Sequence, residues 1–208
     1  MAVQETPRTR HVIPVTEMQV PTQRAADTAP EHGAVMTTLA AKFFAVLRIS
    51  TGVVFLWAFL DKMFGLGYAT QSANAWVNGG SPTNGFLSRV SVGPLESTFQ
   101  SMAGAVWADW LFMLGLLGIG VALLAGVALR ITAAAGGLMM AMMWAAEWPL
   151  ARYLSDGSPS MSTNPVMEYH VIYALVLIAL AVSYAGNTWG LGRRWAEIPF
   201  VRRNRWLL

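Results

Sequence analysis

Apolar residues fall into four long runs separated by polar stretches, and the clearest run lies between Asp109 and Arg130. Twenty uncharged residues, rich in Leu, Ile, Val, Ala and Gly, fill that interval. At about 1.5 Å per residue they reach roughly 30 Å, the thickness of the hydrocarbon layer of a bilayer. The pattern predicts a membrane-spanning helix over 109–129. Gly115, Gly118, Gly120 and Gly126 would weaken such a helix in water, but in lipid they leave flat places where a neighbouring helix can approach. Three further runs, 39–60, 131–148 and 169–189, read the same way. The predicted fold class is an all-α membrane protein, a bundle of four transmembrane helices.

Between the runs the pattern changes. Residues 1–33 carry Pro7, Pro14, Pro21 and Pro30 among scattered polar residues, with no periodicity, and are expected to form a disordered cytoplasmic arm. A membrane domain over 34–192 and a basic tail over 193–208 complete the division. The long connection 68–107 has turn signals at Asn78-Gly79-Gly80-Ser81-Pro82 and Gly93-Pro94. Trp76, Phe86, Leu87, Phe99, Met102 and Trp107 are too apolar for a freely solvated loop of that length. Short interfacial helices are therefore expected near 69–77, 84–90 and 94–106. A second connection, 153–166, turns at Asp156-Gly157 and Asn164-Pro165, and Asn164 is placed to cap the last helix.

Composition supports the bilayer reading: 55% of the 208 residues are hydrophobic and 12% charged, where an ordinary soluble chain has about 25% charged. The net charge of +3 does not point to nucleic acid, because five of the fourteen basic residues are Arg193, Arg194, Arg202, Arg203 and Arg205 in the tail. With Arg130 between the second and third runs, they predict a multi-pass protein of the bacterial cytoplasmic membrane with both termini cytoplasmic, its surface charge meeting membrane lipids. The absence of cysteine excludes disulfides, thiol redox cycling and cysteine-ligated clusters. Of three histidines, His11 and His32 lie in the polar leader and His170 alone in the helical part, which argues against two-histidine haem ligation. No intrinsic metal, haem or flavin is expected, and any redox chemistry belongs to a bound cofactor or a partner.

Several polar residues stand out against this apolar background. Arg48 lies about a turn and a half inside the first run, six residues beyond Lys42; an internal anion site and snorkelling to the interface both remain open. Asp61 closes that run before Gly65 and Gly67, which allow a sharp turn. Glu147 lies between Trp144 and Trp148 at an outer boundary, either solvated or joined to Arg152. Trp57, Trp110, Trp148 and Trp189 suit interfacial anchoring. Met139, Met140, Met142 and Met143 read as adaptable packing rather than a copper site. Glu168 and His170 mark the outer mouth of the fourth run, but residues two apart on a helix point to different sides, so they make no local metal motif. His170 either handles a proton or hydrogen-bonds a carbonyl, or is an ordinary interfacial histidine.

The stretch Arg48 to Gly67, RISTGVVFLWAFLDKMFGLG, the run Asp109 to Arg130 and the segment Asn164-Pro165 to His170 together resemble the DoxX/DoxD-like family of small four-helix membrane proteins, over about residues 43–192. Some DoxD-like relatives are membrane subunits of thiosulfate:quinone oxidoreductase, so the resemblance implies a link to electron transfer. With the polar residues above, it implies a membrane subunit of a quinone-linked oxidoreductase, acting on a small reduced sulfur compound through a redox partner. The expected cofactor is a quinone. His170, Glu168 and Asp61 are the expected catalytic residues, and Arg48, Trp57, Trp144 and Arg152 the expected cofactor contacts. A homo-oligomer is compatible with this, and no nucleic acid is involved. Two other classes stay open: a noncatalytic accessory or assembly subunit, and a small-anion transporter using Arg48. Whether Arg48 and the outer polar residues form one site is equally open.

Overall fold

The computed structural model describes residues 36–207, so the segment read as a disordered arm lies outside the described residues. The first helix, α1, runs Thr38–Phe64. Thr37 caps it by accepting the Ala40 N–H at 3.2 Å. It ends where Gly65 turns left-handed at φ 65° and returns its own N–H to Asp61, a conformation that glycine reaches without a Cβ penalty. The helix is four residues longer at its end than the apolar run, so Asp61 and Lys62 belong to its last turn.

The long connection holds two 3-10 turns, Ser72–Asn74 and Trp76–Asn78, and two short helices, α2 Asn84–Leu87 and α3 Glu96–Met102. The expected short helices are present, each briefer than its apolar stretch. Three longer helices follow: α4 Val106–Ala125, α5 Leu129–Glu147 and α6 Tyr169–Val182. The tail folds into α7 Gly192–Glu197, α8 Pro199–Arg203 and a final 3-10 turn, Arg205–Leu207. It is not a loose basic extension: Val201 and Leu207 are buried, and the Trp195 indole N–H donates to the Leu207 carbonyl at 2.9 Å.

Helix α1 packs along α4 and α5 along α6, with α4 against α5 joining the two pairs. Glycines report the register. A Cβ on Gly52 would lie 3.0 Å from Leu123, and one on Gly120 would lie 2.8 Å from the backbone of Leu56, so α1 and α4 are antiparallel. A Cβ on Gly136 would lie 2.5 Å from Leu177 and Glu147 meets Tyr169, so α5 and α6 are antiparallel. One end of the bundle therefore gathers the end of α1, the start of α4, the end of α5 and the start of α6; this is the connection end. The opposite, tail end gathers the other termini.

Phe55, Leu116, Ile119, Leu123, Met140, Leu177 and Leu180 form the core. The outward faces are apolar too: Leu111 and Leu138 are each 64% exposed and Ile172 50%, where a helix in water would place polar residues. Three helices, α1, α4 and α5, are long and apolar enough to cross a membrane. The fourth is shorter. Where the apolar run extends to 189, α6 stops after 14 residues, about 21 Å. The chain turns at Tyr184, φ 50°, into a 3-10 turn over Ala185–Asn187.

Close backbone approach at the tail end makes one glycine testable. A Cβ on Gly186 would lie 2.1 Å from the Gly126 carbonyl oxygen, and backbone cannot yield as a side chain can. Gly186→Ala is expected to cost about 1–3 kcal/mol, read as a lower unfolding temperature in detergent. Gly118→Ala, which meets nothing within 4 Å, is expected to change stability by no more than about 1 kcal/mol.

Candidate functional site

The polar residues of the apolar runs separate into three groups. At the tail end, Arg48 is fully buried. Its Nε donates to Ala185 O at 3.2 Å, Nη1 to the carbonyls of Leu123 and, at 2.9 Å, Leu124, and Nη2 to Thr188 O at 3.3 Å and Trp189 O at 2.9 Å. The five N–H donors of the guanidinium thus meet five backbone carbonyls. Two of these lie in the last turn of α4, where the helix dipole is negative and favours a cation; Leu123 O also accepts the Gly126 N–H at 3.1 Å. The neighbouring carbonyls are also taken, Ala122 O by the N–H groups of Gly126 and Val127, and Ala125 O by Leu191. The arginine finds its counter-charge in backbone dipoles, and none of its donors is left for a ligand.

At the connection end two buried carboxylates hold the 65–105 connection. Asp61 accepts the backbone N–H groups of Tyr68 at 3.3 Å and Ala69 at 3.1 Å. Asp109 accepts the Ser81 hydroxyl at 2.9 Å, the Thr83 hydroxyl at 2.6 Å and the Thr83 N–H at 2.9 Å. Asp61 is not joined to Lys62 by an ion pair; its oxygens close the turn that Gly65 and Gly67 permit. Asp109, which the sequence marks only as the end charge of an apolar run, is the second fastening.

The third group lies between the end of α5 and the start of α6. Glu168 is the N-cap of α6, extended at φ −85° and ψ 165°, and so its carboxylate reaches forward two residues. One oxygen, Oε2, accepts the His170 backbone N–H at 3.0 Å and lies 2.7 Å from His170 Nδ1. The expectation that Glu168 and His170 point apart holds within a helix, and it fails here because Glu168 stands just outside one. Asn164 is not the cap: its side chain accepts the N–H groups of Val166 and Met167 within a turn.

Glu147, from the last turn of α5, completes the cluster. It accepts the Tyr169 hydroxyl at 2.9 Å, and its other oxygen lies 3.9 Å from His170 Nδ1. One atom each of Glu147, Glu168 and His170 lies within 4.8 Å of the others. Glu168 and His170 make no metal motif by themselves, and Glu147 adds a third carboxylate-or-imidazole group from another segment. The 2.7 Å spacing of His170 and Glu168 is that of a charge-assisted hydrogen bond, however.

Burial grades across the cluster: the His170 side chain is 1% exposed, Glu168 12% and Glu147 34%. Three buried polar atoms have no partner among the described residues: His170 Nε2, Glu168 Oε1 and Trp144 Nε1. An unpartnered buried polar group costs about 1–3 kcal/mol, so each of them marks a hydrogen bond that a bound molecule or water would satisfy. With the Nδ1 proton held on Glu168, Nε2 presents a lone pair, and the Trp144 indole presents a donor. Trp144 precedes Glu147 by one helical turn and so shares its side of α5.

The other expected contacts lie elsewhere. Trp57 is 43% exposed with its ring edge against Tyr68 at 5.2 Å. Arg152 is exposed on the second connection and pairs with no carboxylate among the described residues. In that connection Asp156 receives the Ser158 hydroxyl and N–H, which hold its carboxyl below the usual range. Of the residues expected to act, the structure thus gathers His170 and Glu168 and adds Glu147 and Tyr169; Trp144 stands one turn before Glu147 on α5, and Asp61, Arg48, Trp57 and Arg152 lie apart.

No protein-family model matches the chain, no curated protein matches its sequence and no solved structure matches it.

The Arg48 arrangement predicts a sharp distinction between cations. Arg48→Lys keeps the charge but offers three donors in place of five; Leu123 O keeps the Gly126 N–H, so at least one of the other four carbonyls loses its partner at about 1–3 kcal/mol. Thermal unfolding in detergent is expected to fall accordingly, with loss of folded yield. A variant as stable as the parent would show that water replaces the missing donors.

Proposed function

We propose that the chain is a four-helix, multi-pass membrane protein that acts as the membrane subunit of a quinone-linked oxidoreductase, with its reactive site between α5 and α6. The observation that carries this reading is His170: a buried imidazole held by a carboxylate at Nδ1 and unpartnered at Nε2. The tail end carries Arg130, Arg193, Arg194, Arg202, Arg203 and Arg205, so it is assigned to the cytoplasm and the connection end to the outer face of a bacterial membrane. The short α6 is then the fourth span, completed by the turn that follows it. The resemblance of the Arg48–Gly67 and Asn164–His170 segments to DoxX/DoxD-like proteins is consistent with this assignment.

The unpartnered groups fit a quinone, whose oxygen accepts a hydrogen bond in one redox state and donates one in the other. Trp144 Nε1–H suits the first and His170 Nε2 the second. A bound quinone would supply two-electron, two-proton chemistry, its electrons exchanged with a redox centre of a partner subunit acting on a small reduced sulfur compound. Oxidation of the sulfur compound reduces the quinone, which then takes up two protons, and the residues of this chain supply them one at a time. Glu147, one-third exposed and oriented by the Tyr169 hydroxyl, would take each proton from water and hand it to the His170–Glu168 pair. The resulting imidazolium, stabilised by Glu168 and Glu147, would give up its Nε2 proton and return to the neutral form.

His170→Asn keeps a side-chain donor for Glu168 but removes Nε2. In protein extracted from native membranes, quinone retained above a lipid-only control is expected to fall by about tenfold or more, with the helical circular dichroism unchanged. Glu147→Gln is expected to keep the quinone and to alter the pH profile of quinone reduction. Equal quinone in parent and His170→Asn would remove this site from the reaction. No enrichment in the parent would favour the reading of a noncatalytic assembly subunit.

A further inference from the structure

Away from the α5–α6 cluster, the connection end carries a cleft of about 610 Å³ between the last turn of α1 and residues 69–89. Its charged lining groups are Lys62 and Arg89, and no carboxylate lines it. Gln71, Asn74 and Asn84 line it as well. Neither cation forms an ion pair among the described residues, where the two ion pairs both belong to His170.

The neighbouring acids do not neutralise these cations by direct pairing. Asp61 spends its oxygens on the Tyr68 and Ala69 N–H groups, and Asp109 accepts Ser81 and Thr83. Lys62 Nζ lies 5.9 Å from the centroid of the Phe112 ring and feels the charge of Asp61 without an ion pair to it. The Arg89 guanidinium folds back over Gly85, where a Cβ would sit 3.7 Å from its Nη2. Two cations thus converge on one space, with Gln71, Asn74 and Asn84 beside them and the local carboxylates committed to holding the loop. Such a site is complementary to a compact anion with several acceptor oxygens.

We propose that Lys62 and Arg89 bind a phosphate group in this cleft. Arg89 offers paired N–H donors to two phosphate oxygens, and Lys62 acts as a point charge. The phosphate has two sources, an anionic phospholipid headgroup or free phosphate. The lipid source draws support from the surroundings: Phe64, Leu66 and Phe86 are exposed apolar residues at this end of the bundle, and Phe86 and Pro82 form an apolar wall of the cleft against which a glycerol backbone would lie. Juxtamembrane cations attract anionic headgroups in this way.

The test uses the full chain in detergent with two probes, phosphatidylglycerol, against phosphatidylcholine as control, and inorganic phosphate at constant ionic strength. Native mass spectrometry is expected to show one phosphatidylglycerol retained on the parent. The double variant Lys62→Gln, Arg89→Gln is expected to lower that retention by at least about tenfold, with unchanged helical circular dichroism and unchanged quinone retention. Arg89→Gln alone, on the exposed connection, provides the same reading if the double variant folds poorly. A phosphate-induced rise in unfolding temperature that the variants lose, without lipid retention, would assign the site to free phosphate. Binding of neither probe by the parent, or equal binding by parent and variants, would overturn the proposal.

Discussion

A single buried guanidinium sets the geometry of the tail end, and much of the bundle depends on it. Arg48 joins α1 to the final carbonyls of α4 and to the segment after α6. A buried charge is tolerated only when its hydrogen bonds are complete, so the carbonyls that meet Arg48 must stay where they are. That requirement explains the truncated α6. Its chain leaves the helix early, adopting positive φ at Tyr184 and Trp189, so that the carbonyls of Ala185, Thr188 and Trp189 turn inward. Such backbone conformations cost about 1–3 kcal/mol each, and the charge-assisted bonds they accept offset that cost.

The connection end solves a different problem with the opposite charge. There the backbone to be held belongs to a long connection whose N–H groups need acceptors, and Asp61 and Asp109 supply them from the ends of α1 and α4. The antiparallel register of α5 and α6 brings Glu147 to Glu168 and His170, and the rest of that contact is apolar core. Division of labour between the two helix pairs is therefore a property of the packing: one pair anchors the long connection, and the other holds a buried histidine between carboxylates.

The all-helical fold and the approximate positions of the long helices were legible because a twenty-residue uncharged run has few alternatives. The length of α6 was not, since the hydropathy of 183–189 gives no hint that Arg48 requires carbonyls there. Arg48 itself was conspicuous, but its partners are main-chain atoms, which leave no mark in a sequence. His170 and Glu168 were visible as polar residues beside an apolar run. Their contact was not, because it depends on Glu168 lying one residue before the helix rather than one turn within it. Glu147 shared the signal of a charge among tryptophans, yet only the α5–α6 register pairs it with the histidine.

The Arg48 bonds also order events in time. Its α4 acceptors lie 75 and 76 residues downstream and its remaining acceptors 137 to 141 residues downstream. At ribosomal speeds of about 5–20 residues per second, the last of them emerge on the order of ten seconds after the arginine. The nascent first helix must wait that long with an incompletely solvated cation, which disfavours its early settling in a hydrocarbon environment. Assembly around Arg48 is consequently closed late: α1 becomes fully at ease in its surroundings only when the segment after α6 arrives.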